Sequence, residues 1–285
     1  MKNPDFYKVS SPVILKEKST KEVLDNAKKE LKSLRTKISE LQDKMYAEGK
    51  YSMLICLQGM DTSGKDSLIR EVFKDVNARG VEVHSFKAPT EQELQHDFLW
   101  RHYLVLPSKG KIGIFNRTHY ENILVTRVHP QYILKENIPE IKNVEDVNDE
   151  FYQDRMNRIN QFENHLVKSG TIVLKFFLNI SKDEQKNRLL RRLNLPEKNW
   201  KFSLDDLKER KSWDNYQYCY EDLLNKTSKE NAPWFIIPAD DKNSARFIFA
   251  KILLNELEKY NFKEPTLSSK LLSHLDEFKA QLNNE

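Results

Sequence analysis

Gly59-Met60-Asp61-Thr62-Ser63-Gly64-Lys65-Asp66 is the segment of this chain best equipped for chemistry. An apolar run, Met53–Leu57, leads into it, and a helical pattern carried by Leu68, Ile69, Val72 and Phe73 leads away. Strand, glycine-bounded loop with Gly-Lys, then helix is the layout of a phosphate-binding P-loop. Successive backbone N–H groups of such a loop point into one concavity, and the helix N-terminus adds partial positive charge. Lys65 supplies a mobile full charge. Gly59, Thr62, Ser63 and Gly64 are the remaining candidates for holding phosphoryl oxygens. The bland alternative is a glycine-rich turn that happens to precede a helix.

Two residues depart from the usual pattern. The position after the lysine is commonly Ser or Thr, whose hydroxyl helps hold Mg²⁺, but here it is Asp66. A second carboxylate, Asp61, sits inside the loop, where it would repel a phosphate chain. Acids in a phosphate cradle make sense when a metal ion lies between them and the phosphates, since Mg²⁺ takes one or two carboxylates plus phosphate oxygens. Asp61 is therefore the candidate metal ligand, for Mg²⁺ or Mn²⁺, and Asp66 a metal-shell or capping residue.

A second constellation lies downstream. The strand Lys111–Phe115 ends in Asn116-Arg117-Thr118-His119-Tyr120-Glu121, which should face the P-loop because ligands of open parallel sheets bind beyond the strands' carboxyl ends. Asn116 stands where P-loop enzymes usually carry an acid. Arg117 is suited to clamping a phosphate and stabilising charge in transfer; its alternative is a surface ion pair. Lys87 closes the strand before, and Arg127 lies on the helix after. Arg188, Arg191 and Arg192 recur at spacings of three and four, predicting one basic face for a polyanion. Trp200, Phe202, Trp213, Tyr216, Tyr218 and Tyr220 offer stacking surface, although such density is more often core.

These groups need a scaffold, and the rest of the chain describes one. With 285 residues, 39% apolar and 32% charged, the chain can bury a sizeable core beneath an ionic surface. The net charge of +4 is too small to argue for nucleic acid, yet residues 182–211 hold ten basic against six acidic side chains. No apolar run has the length of a membrane span and no signal peptide is evident, which predicts a cytoplasmic protein without a membrane partner. Cys56 and Cys219 suggest no disulfide framework.

Strands are predicted at 52–57, 81–86, 111–115, 171–179 and 234–238. Helices are predicted at 64–78, 91–104, 119–128, 149–168, 181–194, 204–225 and 243–259. Apolar strands alternating with helices imply an α/β fold with a parallel sheet covered on both faces. Residues 1–18 look extended. Ser19-Thr20-Lys21-Glu22 reads as a capping box opening a long helix closed by Gly49, with Val23, Ala27, Leu31, Leu34, Ile38, Leu41 and Met45 as its stripe. That stripe either lies on the domain or mediates self-association. The organisation predicted is an extension and helix over 1–50, a phosphotransferase domain over 51–260 with a mobile lid near 181–232, and a tail over 261–285.

In order, Gly59–Asp66, Ser85-Phe86-Lys87-Ala88-Pro89-Thr90, Phe98-Leu99-Trp100-Arg101, Phe115–Glu121, Lys208-Glu209-Arg210, Trp213-Asp214, and Ala232-Pro233-Trp234 with Pro238–Lys242 resemble the polyphosphate kinase type 2 family. The resemblance implies a thymidylate-kinase-like, three-layer α/β/α P-loop kinase fold with a helical lid. It implies metal-dependent, reversible phosphoryl transfer between inorganic polyphosphate and adenine or guanine nucleotides, in a homo-oligomer, dimer or tetramer. Asp61, Lys65 and Arg117 then correspond to the transfer residues. Asn116 through Glu121 resemble the subgroup phosphorylating both nucleoside mono- and diphosphates, with Glu121 marking monophosphate use; Asn122 stands where many relatives have Asp. The rivals are an ATP-dependent nucleoside monophosphate kinase and a P-loop protein that binds a polyanion without turnover.

Overall fold

Five runs rich in Ile, Val, Leu and Phe pair into one parallel sheet: β1 (Ser52–Gln58), β2 (Val81–Ser85), β3 (Ile112–Asn116), β4 (Thr171–Asn179) and β5 (Trp234–Pro238), in spatial order β2-β3-β1-β4-β5. The computed structural model describes residues 2–10 and 12–285, with every side chain among them except that of Lys201. Met1 and Ser11, from the stretch expected to be extended, lie outside the described residues.

β1, β3, β4 and β5 are buried at every position, as strands covered on both faces must be. Successive residues of a strand point to opposite faces. Leu54 and Cys56 accordingly join Phe162 and Leu166 of α6 (Asp149–Lys168), whereas Met53, Ile55 and Leu57 join the larger core containing Ile38, Met45 and Ile248. Helices α1 (Ala27–Glu48), α2 (Lys65–Val72) and α10 (Lys242–Glu258) pack together on one side. α5 (Glu121–Val128), α6 and α9 (Trp213–Thr227) pack together on the other. The three-layer α/β/α arrangement follows, and none of its described helices is long and apolar enough to cross a membrane.

Several boundaries differ from expectation, each for a local reason. The long helix starts at Ala27, not at Ser19, because Ser19 Oγ is held by the backbone of Lys21 (2.6 and 3.2 Å) and Glu22 Oε1 accepts from Tyr7 Oη (2.9 Å), so the box does not close. Val23 is left exposed, but Leu31, Leu34, Ile38 and Met45 are buried against the chain's own α10. That face is spent inside the molecule, which overturns self-association through the 23–45 stripe. The 91–104 helix divides into α3 (Glu91–Leu94) and α4 (Trp100–Tyr103), because Asp97 Oδ1 accepts from Leu99 N (2.9 Å) and restarts it. The 204–225 helix breaks at Ser212 into α8 (Leu204–Lys211) and α9. Since Leu223 and Leu224 of α9 are fully buried, α9 belongs to the body. Only the end of α7 (Lys182–Asn194), a 3-10 turn over Pro196–Lys201 and α8 stand as the helical excursion; α11 (Ser269–Ser273) and α12 (Leu275–Asn283) are separate short helices that follow α10.

Candidate active site

β1 sits between β3 and β4, so the loops leaving β1 and β3 meet above the middle of the sheet. This is the crevice beyond the carboxyl ends where open α/β sheets bind ligands. The loop from Gly59 to Gly64 closes onto α2 with Thr62 at φ +64° and Gly64 at φ +110°. Gly59, at φ +149°, could not carry a side chain: a Cβ would lie 2.8 Å from Ser63 Oγ and 2.9 Å from the Leu178 carbonyl oxygen. Thr62 Oγ1 and Ser63 Oγ are buried hydroxyls with no protein partner. Since the backbone carbonyl cannot swing away, Gly59→Ala is expected to cost about 1–3 kcal/mol of stability and to close the cradle. Thermal denaturation beside turnover checks it; unchanged values of both would mean the loop shifts freely.

Lys65, the first residue of α2, arches back over the loop and donates to the carbonyls of Gly59 (2.6 Å) and Met60 (3.4 Å). Burial, then the charge of Arg117, lowers its pKa from the ordinary lysine value, while Asp61, Glu121 and Asp66 pull the other way. Arg117 projects from the turn after β3 at φ +59°, donates to Asp61 Oδ1 at 2.5 Å and lies 3.8 Å from Glu121 Oε2. Its side chain is half-exposed, and its neighbours Asn116 and Thr118 are buried. Asn116 Nδ2 donates to Asp66 Oδ1 (2.7 Å) and Ser85 Oγ (3.3 Å), leaving its own Oδ1 buried without a partner. Asp61, Lys65, Asp66, Asn116, Arg117 and Glu121 thus share one mouth.

The outlying candidates divide. Lys87 is exposed on the loop after β2, where its carbonyl accepts from Arg101 (2.9 Å). Arg127 does not reach the mouth: it bonds Asp222 and Asp149, each at 2.6 Å, and ties α5 to α9 and α6. Arg188, Arg191 and Arg192 share a side of α7 but are not jointly available to a polyanion. Arg188 is buried and donates to the carbonyls of Thr62, Ser63, Ala239 and Asp240 (2.6–3.0 Å), riveting the P-loop to the segment after β5. Arg192 pairs with Asp206 (3.0 Å), and Arg191 is exposed. Of the aromatic set, Trp213, Tyr216 and Tyr220 are core, while Trp200 and Tyr218 are exposed. Asn122 is also structural, donating to the His119 carbonyl (2.9 Å).

Some contributors escape a reading of residue types. Gln185 Nε2 donates to the Asp61 carbonyl (3.2 Å), and its Oε1 accepts from Arg210 (2.8 Å), linking the loop to α8. Lys242 and Arg246 line a hollow against Ser63, Gly64 and Ser67. No periodicity marks them, although Asp241 at the N-cap of α10 does place Lys242 in the first turn.

The donor set suits a hard cation shared with a phosphate chain: Asp61, Asp66 and the unpartnered Asn116 Oδ1 are all oxygen donors. No cluster of three His, Cys, Asp or Glu side chains among the described residues forms a self-sufficient cage. A Mg²⁺-like ion completed by substrate oxygens requires none.

A profile of the family described as polyphosphate kinase 2 (PPK2) matches residues 21–265. The chain is 45% identical over 242 residues to the AMP/ADP-polyphosphate phosphotransferase of Meiothermus ruber, spanning 84% of this chain and 85% of the relative. It is 43% identical over 246 residues to the ADP-polyphosphate phosphotransferase of Rhodopseudomonas palustris, spanning 86% and 84%. The crystal structure of polyphosphate kinase 2 from Arthrobacter aurescens superposes with a TM-score of 0.89 at 34% identity, covering 100% of this chain and 98% of that one. On a family match across most of its length and relatives of this identity and coverage, the chain belongs to the polyphosphate kinase 2 family.

Proposed function

We propose that this protein transfers the terminal phosphoryl group of inorganic polyphosphate to AMP and ADP, and runs the reaction in reverse. The observation that carries this reading is the meeting of Lys65, Arg117 and Asp61 at a P-loop mouth whose other acids, Asp66 and Glu121, need a cation between themselves and phosphate. An oxygen of the acceptor's last phosphate attacks the terminal phosphorus of the chain. The P–O–P bridge to the next phosphate breaks, and its electron pair leaves on the shortened polyphosphate. No nucleophilic side chain is needed; positioning and charge neutralisation supply the rate. Lys65 and the loop N–H groups hold the transferred group, and Arg117 bears on the charge that spreads over its oxygens. Asp61 orients Arg117 and, with Asp66 and Asn116, would hold a divalent ion, Mg²⁺ or Mn²⁺, which when bound neutralises phosphate charge.

Glu121, close to Arg117, is the residue we assign to acceptor choice, since a monophosphate brings less charge to the mouth than a diphosphate. The two relatives named above differ in the acceptors of their names, so this assignment rests on that carboxylate's place. ATP formed from ADP and long-chain polyphosphate, with a divalent metal and no other donor, tests the reaction. ADP formed from AMP under the same conditions tests the acceptor range; turnover of ADP alone would remove it.

Lys242 makes the donor side pH-dependent. Its pKa is pushed down to about 8, by burial first and then by the charges of Arg188 and Arg191. A polyanion favours the ammonium form, so above that value binding must take up a proton and weakens. The KM for polyphosphate is expected to rise as pH climbs through about 8, while Lys242→Arg, which keeps its charge, flattens the rise. An identical rise in Lys242→Arg would place the effect elsewhere.

A further inference from the structure

Beneath the turn that carries Arg117 lies an ion pair the transfer chemistry does not touch. Lys175 occupies the middle of β4, opposite Cys56 of β1 and Trp234 of β5, and is fully buried. All three of its N–H donors are used: to Glu163 Oε2 (2.5 Å), Thr227 O (2.7 Å) and Tyr120 Oη (3.0 Å). Glu163, on α6, is equally buried. Its Oε1 accepts from Tyr120 Oη (2.7 Å) and lies 3.1 Å from His119 Nε2. His119 and Tyr120 are the second and third residues after Arg117. Between them and it, Thr118 Oγ1 accepts from Gln58 Nε2 and from Tyr120 N, each at 3.1 Å.

A charged pair in the interior is a poor device for stability alone, since well-packed apolar residues of similar volume often do as well or better. A non-glycine residue at positive φ, such as Arg117 at +59°, costs free energy and persists only where its surroundings over-determine it. Here the surroundings that do so are this network. We propose that Glu163 and Lys175 are positioning residues: through His119 and Tyr120 they fix the Asn116–Glu121 turn, so that Arg117 stays aimed across the P-loop. The inference rests on the phosphotransfer role given to Arg117 above.

The test is a double-mutant cycle on the full chain, comparing wild type, Glu163→Gln, Arg117→Ala and the combination, with ATP from ADP and polyphosphate followed by luminescence. A misplaced reacting group can cost about 100-fold in rate from a change far from the chemistry, and Glu163→Gln is expected to lower kcat by about that factor with both KM values moved less than about twofold. In the Arg117→Ala background the same change should cost less than about threefold, because the group it acts through is gone. Tyr120→Phe, which removes one hydroxyl from the network and keeps the ring, guards against misfolding of Glu163→Gln. It should lower kcat about fivefold, and again not in the Arg117→Ala background. Losses that multiply in full with Arg117→Ala, or that fall on KM or on the folded fraction alone, would overturn the proposal. Failure of the wild-type chain to use polyphosphate would instead overturn the functional reading, and the ratios between variants would then be taken with whichever donor supports turnover.

Discussion

Arg117→Ala is expected to reduce kcat by about 1,000-fold or more, the scale on which an arginine stabilises charge in phosphoryl transfer. The expected split is informative, since the nucleotide KM should move little. Arg117 is half-exposed and makes its bonds to Asp61 and Glu121, not to the core, so truncating it leaves no cavity. Alanine at φ +59° bears the same backbone strain that arginine already does, and the melting temperature should hold. Arg117→Lys keeps the charge without the planar fork and should recover only part of the rate. Steady-state kinetics of the three proteins with thermal melts checks this. Full activity in Arg117→Ala would mean that its bond to Asp61 is a surface tie and nothing more.

Lys65→Ala is the second large effect, about 1,000-fold in kcat with a raised KM for polyphosphate. The lysine donates to two carbonyls of its own loop, so its ammonium already sits at the mouth. Burial and Arg117 hold its pKa below the ordinary lysine value, and a phosphate chain would relieve both costs at once. The loss should therefore appear in ground-state binding as well as in the transition state, unlike that of Arg117→Ala. Polyphosphate binding measured without acceptor separates the two; equal affinity in wild type and Lys65→Ala would confine the lysine to the transfer step.

The sheet is legible in the sequence because Met53–Leu57, Ile112–Phe115 and Thr171–Asn179 are apolar runs, bounded by turns and too short to be buried helices. The P-loop is legible because its glycines do something no other residue can, as the clash at Gly59 demonstrates. What stayed hidden depends on partners that residue types do not reveal. Arg188 looked free for a polyanion, yet four backbone carbonyls claim it, and carbonyls carry no signature in a sequence. Arg127 was taken by Asp149 and Asp222, both distant in the chain. The capping box at Ser19 does not close because Glu22 is claimed by Tyr7, fifteen residues earlier, and Ser19 by the backbone of Lys21. Lys175, the one charged residue of β4, carries a signal of the buried network that a reading of motifs passes over. A lysine at a strand centre demands a carboxylate, and only the fold says it is Glu163.

The most direct measurement follows the phosphorus itself. Polyphosphate labelled with ³²P is incubated with ADP and Mg²⁺, with no ATP added, and the products are separated by chromatography. Label is expected in the γ-phosphate of ATP with a matching loss of polyphosphate, and neither in Lys65→Ala. Label released only as orthophosphate, or retained in polyphosphate while added ATP phosphorylates AMP, would contradict it.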